Sequence, residues 1–506
     1  MSKEYFSTES VWSASIRETE DFGPLPGDMD ADVVVIGAGI TGISTAYLLA
    51  AAGLEVIVLE SGKTGKGTTG SSTGNLYIPT AQFQSIVSKN GTEGLNAVVT
   101  ARSAGLHFIE DRINEFGIEC AFKKVPWYYF TQKKSNVKEI EKEHKVMSSA
   151  GLKVADAFIA GFPFDARAIS RLDSQAQINP LQYVQKLAAA IYRESCRIYE
   201  DTKVLEIKDG NPCIVSTTHG TLKAKYVVQA THTPKGIYAA HAMMEVYREM
   251  AVAAKLKSAL PEDGIYWDYD GTEKYSVRTY NSPAGPFLIV LDNSYKTGQK
   301  ERNETGFKKI EKYIKKIFDV EEISYMWAAQ MYKPADYLPF IGNSPLQKNV
   351  FIATGFSADG LVYGTAAAII ISDLITGISN PVAKVFDPKR FGAAVSTKTL
   401  KENIDVTAHL ISDYILKGYE EELSGIRMGE SRIVEYNKQK AAAYRDHDGV
   451  LHVVSAVCTH LGCLVHWNNA EKSWDCPCHG SRFSYEGKLL EGPAINDLQK
   501  YLTGKV

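Results

Sequence analysis

The stretch from Ala31 to Glu60 constrains the fold most, because a buried strand, a glycine-rich turn, a helix and a second buried strand follow one another within it. The turn places Gly37, Gly39 and Gly42 in the spacing G-x-G-x-x-G between the first strand and the helix. In this spacing the first glycine permits a tight turn, the second admits a pyrophosphate close to the backbone, and the third lets the helix pack against the strand. Glu60 ends the second strand, where a carboxylate can accept a hydrogen bond from a ribose hydroxyl. The stretch therefore predicts an α/β domain that binds a dinucleotide on a parallel sheet.

The length and charge of the chain bound the remaining possibilities. A chain of 506 residues is predicted to divide into about two to four domains. Its 56 lysines and arginines against 59 aspartates and glutamates give a net charge of −3, so it lacks the basic excess that drives nucleic-acid binding. The N-terminus has no apolar stretch of signal-peptide length, and no later stretch reaches the ~20 apolar residues of a membrane span. We expect a cytoplasmic protein with neither a nucleic-acid partner nor a membrane span.

Changes of pattern along the chain predict its division into segments. Amphipathic helical stretches and strand-like runs within about 86–150 and 236–328 predict an inserted α+β layer on the substrate side of the dinucleotide-binding domain. Short strands separated by turns predict a smaller all-β domain at the C-terminus. The predicted boundaries are 1–30 for a polar N-terminal segment, 31–392 for the dinucleotide-binding domain, 393–424 for a linker helix and 425–506 for the all-β domain.

Four of the seven cysteines lie in one short stretch of the C-terminal domain. Cys458 and His460 form a C-x-H motif, and Cys476 and His479 form a C-x-x-H motif on a second predicted loop. Two thiolates and two imidazoles can converge on one metal site, which suits either structural zinc or an iron–sulfur cluster. The cysteines outside this stretch are predicted to be buried as small apolar side chains: Cys120, Cys196 and Cys213.

These two motifs resemble the Rieske domain. In that family two cysteines hold one iron of a 2Fe–2S cluster and two histidines hold the other, so the resemblance implies all four motif residues as ligands. Cys463 and Cys478 match a further pair that forms a disulfide between the two cluster loops in a subset of the family. Such a bond is unusual in a reducing cytoplasm. Residues 491–494 resemble the loop that covers the cluster, with a simple surface turn as the alternative.

Two further stretches resemble the D-amino-acid oxidase-like (DAO) family of flavoproteins. Residues 67–80 are similar to the family's loop along the flavin and its phosphates, and residues 350–377 are similar to its last FAD-contacting strand, turn and helix. The resemblance implies FAD as a cofactor. Ser71 occupies the place of the histidine that tethers the flavin in some relatives, which implies non-covalent FAD. The glycine motif and the resemblance together imply these cofactor contacts: Gly37, Gly39, Ile40, Gly42, Glu60, Thr68, Thr69, Val204, Thr231, Gly355 and Gly360.

A flavin domain followed by a Rieske domain resembles the Rieske-fused FAD-dependent oxidoreductases. The expected fold is a Rossmann-like, DAO-type α/β FAD-binding domain with an inserted α+β substrate domain, plus a C-terminal all-β Rieske domain. The resemblance implies oxidation of a C–N bond in a small-molecule amine or amino acid, with electrons passing singly through the 2Fe–2S cluster to an external one-electron acceptor. The alternative is an electron-transfer or redox-sensing module whose flavin domain has no catalytic activity.

Three side chains are the candidates for catalytic residues. Arg278 lies in a strand where related proteins often carry an arginine, and its guanidinium can hold a substrate carboxylate in a bidentate pair. Gln330 and Tyr332 resemble part of the family's segment that leads to the flavin, so we expect both to line the site. The alternatives are a surface or salt-bridged arginine at 278 and core packing for the other two. Asp359 is expected either to face the flavin edge or to cap a turn.

Overall fold

The structure is a computed structural model that describes residues 9–15, 20–80, 82–156, 162–236, 238–271, 274–282, 285–299, 303–390 and 423–505. The linker helix expected over 393–424 lies outside the described residues except for its last two positions. Within the described ranges, no helix combines the length and the hydrophobicity that a membrane crossing requires.

The helices and strands are named in chain order. The helices are α1 (Val11–Ser15), α2 (Ile40–Ala51), α3 (Phe83–Phe116), α4 (Val137–Ser149), α5 (Pro180–Ile191), α6 (Glu304–Ile317), α7 (Gly360–Thr376) and α8 (Ala383–Phe386). The strands are β1 (Met29–Ile36), β2 (Val56–Leu59), β3 (Asn75–Leu76), β4 (Lys123–Thr131), β5 (Ala155–Asp156), β6 (Ala168–Gln177), β7 (Cys196–Tyr199), β8 (Val204–Lys208), β9 (Cys213–Thr217), β10 (Thr221–Gln229), β11 (Met244–Leu256), β12 (Ile265–Tyr269), β13 (Lys274–Ser282), β14 (Gly285–Lys296), β15 (Val320–Pro334), β16 (Phe340–Asn343), β17 (Val350–Thr354), β18 (Ser431–Tyr436), β19 (Gln439–Arg445), β20 (Leu451–Ser455), β21 (His466–Asn468), β22 (Ser473–Asp475), β23 (Arg482–Ser484), β24 (Leu489–Glu491) and β25 (Lys500–Gly504).

The first sheet carries the glycine-rich turn and has a parallel centre. Strands β17, β10, β1, β2 and β7 run parallel in that order, while β16 and the β8–β9 hairpin add antiparallel edges. Val33, Val34 and Val35 of β1 are fully buried, as expected for a central parallel strand that is covered on both faces. The predicted strand–helix–strand unit is present as β1, α2 and β2.

The second sheet is mainly antiparallel and forms the inserted layer. It has nine strands, with the main path β15-β11-β14-β13-β12-β4-β6-β3, and β4 pairs in parallel with β12. Strand β6 joins it from outside the ranges expected for this layer. One face packs against α6, where Met250 and Val252 meet Ile310 and Ile314. Residues one position along the same strands, such as Ala251 and Ala253, point to the opposite face because side chains alternate along a strand.

The polar N-terminal segment contributes one buried side chain that its composition does not indicate. Trp12 in α1 is fully buried, its ring packs edge-on against Tyr280, and its Nε1 donates to the Ser72 carbonyl oxygen at 2.7 Å. The segment therefore braces the loop predicted to lie along the flavin.

The C-terminal domain is all-β, as predicted. Its two four-stranded sheets are β18-β19-β20-β25 and β21-β22-β23-β24. The C-x-H motif lies on the connection between β20 and β21, and the C-x-x-H motif lies between β22 and β23.

Candidate functional site

A cavity of about 710 Å³ opens at the carboxyl ends of the parallel strands of the first sheet. This is the edge at which open α/β sheets bind their ligands. Most of the predicted cofactor contacts line the cavity: Gly37, Gly39, Ile40, Glu60, Thr68, Thr69, Val204, Thr231 and Gly360. Gly42 and Gly355 do not line it. Gly42 instead lets the Gly37 carbonyl oxygen approach closely, and Gly355 lets the Pro334 side chain approach closely.

The glycine-rich turn excludes side chains where the phosphates are expected. A Cβ at Gly42 would lie 1.8 Å from the Gly37 carbonyl oxygen, and a Cβ at Gly37 would lie 2.6 Å from the Ala230 carbonyl oxygen. The Glu60 carboxylate is held by the amides of Ala38 and Gly62, each 2.9 Å from one of its oxygens. A bare backbone cradle beside an oriented carboxylate fits the pyrophosphate and the ribose of FAD.

The four motif residues of the C-terminal domain come together between its two loops. The ring centroids of His460 and His479 are 5.0 Å apart, and Cys458 and Cys476 are buried with free thiols. His460 Nε2 donates to the Gly236 carbonyl oxygen at 3.0 Å, which leaves Nδ1 for a metal. His479 Nδ1 is buried and has no hydrogen-bond partner among the described residues. This donor set fits the predicted 2Fe–2S cluster.

A disulfide joins the two ligand loops, as the Rieske resemblance implied. Cys463 and Cys478 are bonded at 2.05 Å, and the Cys476 sulfur lies within 4.8 Å of both. The Ser481 hydroxyl accepts a hydrogen bond from the Ala494 amide at 3.1 Å, which fastens residues 491–494 over the ligand loop. Residues 492–494 are buried, so the alternative of a simple surface turn is wrong.

The C-terminal domain also supplies one wall of the large cavity. Residues 489–492, 494 and 495 line it together with the glycine-rich turn. Lys235 donates to the Gly492 carbonyl oxygen at 2.6 Å, and the Gly236 amide donates to the Pro493 carbonyl oxygen at 2.9 Å. Burial lowers the pKa of Lys235 to about 8. The loop that covers the cluster site is thus also a boundary of the cofactor cavity.

A short chain of contacts connects the two sites. His232 lines the cavity, and its Nδ1 is hydrogen-bonded to the Thr68 hydroxyl at 3.1 Å. Its ring lies 4.8 Å from that of Tyr332, and burial lowers its pKa to about 4. Gln330 Nε2 donates to the Tyr332 hydroxyl and to the Gly480 carbonyl oxygen, both at 2.8 Å. Gln330 therefore touches the residue that follows His479, one of the predicted cluster ligands.

Buried charges also cross the domain boundary. Arg248 of β11 forms salt bridges with Glu471 and Glu491 of the C-terminal domain, and Arg482 binds the same two glutamates and Asp475. Burial alone would raise the pKa of Glu491, but the two guanidinium groups lower it to about 2. Four of these five residues line the cavity, and Asp475 does not. This network holds the two domains against each other.

Arg278 has contacts that the sequence did not predict. Arg278 does not line the cavity; its Nη1 donates to the carbonyl oxygens of Thr73 and Ile178 at 2.7 and 3.2 Å. Burial lowers its pKa to about 9. These contacts match neither alternative for Arg278 and give no geometric support to its predicted role as a carboxylate partner. That role stays a prediction.

Asp359 precedes α7 but makes no side-chain cap there. Its carboxylate pairs with Arg102 at 2.9 Å and accepts a hydrogen bond from the Tyr77 hydroxyl at 2.6 Å. Of the other two candidates, Gln330 lines the cavity, whereas Tyr332 is fully buried behind its wall. Their predicted roles in catalysis stay predictions.

Sequence reasoning missed several residues of the cavity wall, and their signals were weak. His232 and Lys235 follow Thr231 at the carboxyl end of β10, which is where a parallel strand delivers side chains to a ligand. Arg248 and Glu249 are charged residues inside a strand that is otherwise largely buried, a pattern that indicates a functional or buried pairing role.

Comparisons with known proteins agree with this architecture. The family model described as FAD dependent oxidoreductase (DAO) matches residues 32–374, and the model of the Rieske [2Fe-2S] domain matches residues 417–502. The chain is 32% identical over 515 aligned residues to the putative Rieske 2Fe-2S iron-sulfur protein YhfW of Bacillus subtilis, covering 99% of both chains. It is 24% identical to gamma-glutamylputrescine oxidoreductase of Escherichia coli, over 73% of this chain and 89% of the relative. Among solved structures, L-proline dehydrogenase from P. horikoshii aligns with a TM-score of 0.59 at 20% identity, over 73% of this chain and 99% of that one.

Proposed function

The chain belongs to the DAO family of FAD-dependent oxidoreductases and carries a C-terminal Rieske domain, and from this premise we propose that it is a dehydrogenase for amines or amino acids that delivers electrons one at a time to an external acceptor. FAD and a 2Fe–2S cluster are the cofactors of the two families. When bound, FAD accepts a hydride from the carbon of a C–N bond, leaving an imine that water hydrolyses, and a Rieske cluster accepts single electrons.

The observation that carries the proposal is the shared boundary of the two sites. The segment Ala328–Met331 of β15 lines the cofactor cavity, and Gln330 in its middle is hydrogen-bonded to Gly480 beside a cluster ligand. Contact between the ligand loop and the wall of the flavin cavity shortens the path for an electron between the two sites. The contact supports transfer within the chain over a short distance.

The substrate class rests on the relatives and the cavity. The names of two similar proteins refer to gamma-glutamylputrescine and L-proline, both of which contain an oxidisable C–N bond. In this chain the walls near β11 and β15 include the apolar side chains of Leu291, Ala329 and Met331. Such walls exclude water from the reacting carbon and orient it by packing.

Gln330 and Tyr332 act in this proposal as positioning residues. Gln330 holds the ligand loop through Gly480, and Tyr332 holds Gln330 while its ring contacts His232. Replacing Gln330 with leucine should therefore slow reduction of the cluster several-fold while leaving the rate of substrate-driven flavin bleaching unchanged. A purely structural role would lower both rates together or neither.

An anaerobic substrate test separates this function from the alternative of a non-catalytic electron-transfer module. Purified holoenzyme is mixed with n-butylamine, gamma-glutamylputrescine or L-proline, and flavin absorption and the electron paramagnetic resonance of the cluster are followed in time. We expect flavin bleaching followed by the signal of the reduced cluster. In a Cys458→Ala variant, which lacks a ligand, the flavin should bleach and the cluster signal should be missing. If none of the three compounds bleaches the flavin although dithionite reduces both cofactors, the module is the better description.

A further inference from the structure

Glu249 places a carboxylate in the cavity wall. It lies on β11 beside Ala329 of β15 and faces the cavity, as do Leu291 and Met331. Its carboxylate forms no salt bridge or hydrogen bond with any other residue in the part of the chain that the structure describes. The preceding residue, Arg248, extends from the opposite face of β11, where it lines the part of the cavity next to the C-terminal domain and pairs with Glu471 and Glu491.

The charged groups around Glu249 do not neutralise it at close range. Lys274 and Lys333 stabilise its negative charge, and Asp359 and Asp292 destabilise it. The Lys274 ammonium lies 3.2 Å from the centre of the Trp267 ring and is itself shared among Asp359, Glu249 and Glu143. Burial raises the pKa of Glu249 to about 7, which reflects this incomplete compensation.

All lysines and arginines of the cavity wall except the exposed Lys66 are engaged by groups other than Glu249. Arg248 and Arg482 pair with glutamates of the C-terminal domain, and Lys235 is bound to the Gly492 carbonyl oxygen. Lys203 pairs with Asp497 at 3.8 Å. The wall around Glu249 thus offers one negative group among apolar side chains.

An unpaired carboxylate in a partly dry cavity carries a desolvation cost that a cationic ligand removes. We propose that Glu249 binds the positively charged nitrogen of the substrate, and that this chain acts on amines with no carboxylate on the carbon that is oxidised. The inference rests on the proposed function and makes it narrower, since it favours amines over α-amino acids.

Two ligands of equal shape and opposite charge test the site without turnover. Benzamidine carries an amidinium and benzoate a carboxylate on the same ring, and neither has a hydrogen on the carbon next to nitrogen or oxygen that could leave as hydride. Isothermal titration calorimetry of the FAD- and cluster-loaded protein should show benzamidine binding at least about tenfold tighter than benzoate. Glu249→Gln should weaken benzamidine binding about tenfold or more, because a charge-assisted hydrogen bond is lost.

Control variants keep the result interpretable. Glu249→Asp retains the charge and should keep the preference for benzamidine. Glu322→Gln, on an exposed part of β15, should change neither affinity. Equal or tighter binding of benzoate, no heat with either ligand, or unchanged benzamidine affinity in Glu249→Gln would each overturn the inference.

The outcome stays separate from that of the proposed function. Charge-selective binding that depends on Glu249, without flavin bleaching by any amine, would support the cation site and contradict the proposed enzymatic function. Flavin bleaching by L-proline but not by n-butylamine, with benzoate the tighter ligand, would support the enzymatic function and contradict the role of Glu249 as a cation site.

Discussion

The two redox sites of this chain are built in opposite ways. The cluster site takes its four predicted ligands and its disulfide from two loops between Cys458 and His479, within one small domain. The cofactor cavity takes its walls from both large sheets and from residues 489–492, 494 and 495 of the other domain. The cluster site is therefore a local structure, whereas the flavin site depends on the packing of the whole chain. Variants that disturb one site and spare the other test this difference.

The first prediction removes the local site alone. Cys458→Ala takes away one of two thiolate ligands, so the cluster should be lost completely while FAD stays bound. Iron, acid-labile sulfide and flavin are quantified in the purified protein. Cys213→Ala, a buried cysteine of the first sheet, is the control and should keep both cofactors. Loss of FAD together with the cluster would mean that the two sites are not independent.

The second prediction removes the distributed site at its most crowded point. Gly42→Ala places a Cβ 1.8 Å from the Gly37 carbonyl oxygen, so the turn must open and FAD affinity should fall at least about a hundredfold, or about 2.7 kcal/mol. Fluorescence titration of the apoprotein with FAD measures this, and the iron content should not change. Gly504→Ala, where a Cβ meets open space, is the control. An unchanged FAD affinity would show that the glycine cradle does not hold the cofactor.

The third prediction loosens the boundary that the sites share. Arg248→Met leaves Glu471 and Glu491 with fewer positive partners in a buried position, which should cost about 3 kcal/mol of unfolding free energy. Urea titration followed by tryptophan fluorescence provides the measurement. Lys296→Met breaks an exposed salt bridge to Glu245 and should cost less than about 1 kcal/mol. Equal losses of unfolding free energy in the two variants would contradict a stabilising role of Arg248 at the domain interface.

The fourth and smallest prediction uses pH to compare two glutamates of the same cavity. The pKa of Glu249 is raised to about 7 by burial, whereas that of Glu491 is lowered to about 2 by its arginines against its own burial. The pKa of the Glu491 carboxylate is lower in the folded state than in the unfolded state, where a glutamate has a pKa of about 4.3. Its ionised form therefore stabilises the folded state above this pH, and that stabilisation is lost as the pH falls toward 2. Lowering the pH from about 8 to about 6 should thus weaken benzamidine binding up to about tenfold and leave the interface intact. Calorimetry and urea titration at both values check this, and a parallel loss of stability would argue against the assignment.

The parts of the sites that depend on neighbours in sequence were predictable. The spacing of Gly37, Gly39 and Gly42, and that of the two cysteine–histidine motifs, encode backbone geometry over a few residues. Comparison with known families confirms both domain types and their cofactors. The family resemblance also implied the disulfide between Cys463 and Cys478, which the structure contains.

Other residues took their roles from partners far along the chain. Arg278 had the residue type of a carboxylate partner, but backbone carbonyls of Thr73 and Ile178 occupy its guanidinium. Trp12 lies in a polar segment and is nonetheless fully buried against Tyr280. No local pattern distinguishes these cases, since the competing partners are about 100 to 270 residues away.

By itself, the sequence determined the two cofactor types and the two kinds of fold, because glycine turns and metal motifs act through contacts within a few residues. Only the tertiary structure decided that residues 491–494 border both sites and that Gln330 contacts the C-terminal domain. It also decided that the Glu249 carboxylate forms no ion pair or hydrogen bond with any described residue, while Arg248 next to it pairs with two glutamates. Burial and pairing of a charge depend on which distant segments pack around it, and packing is a property of the folded chain.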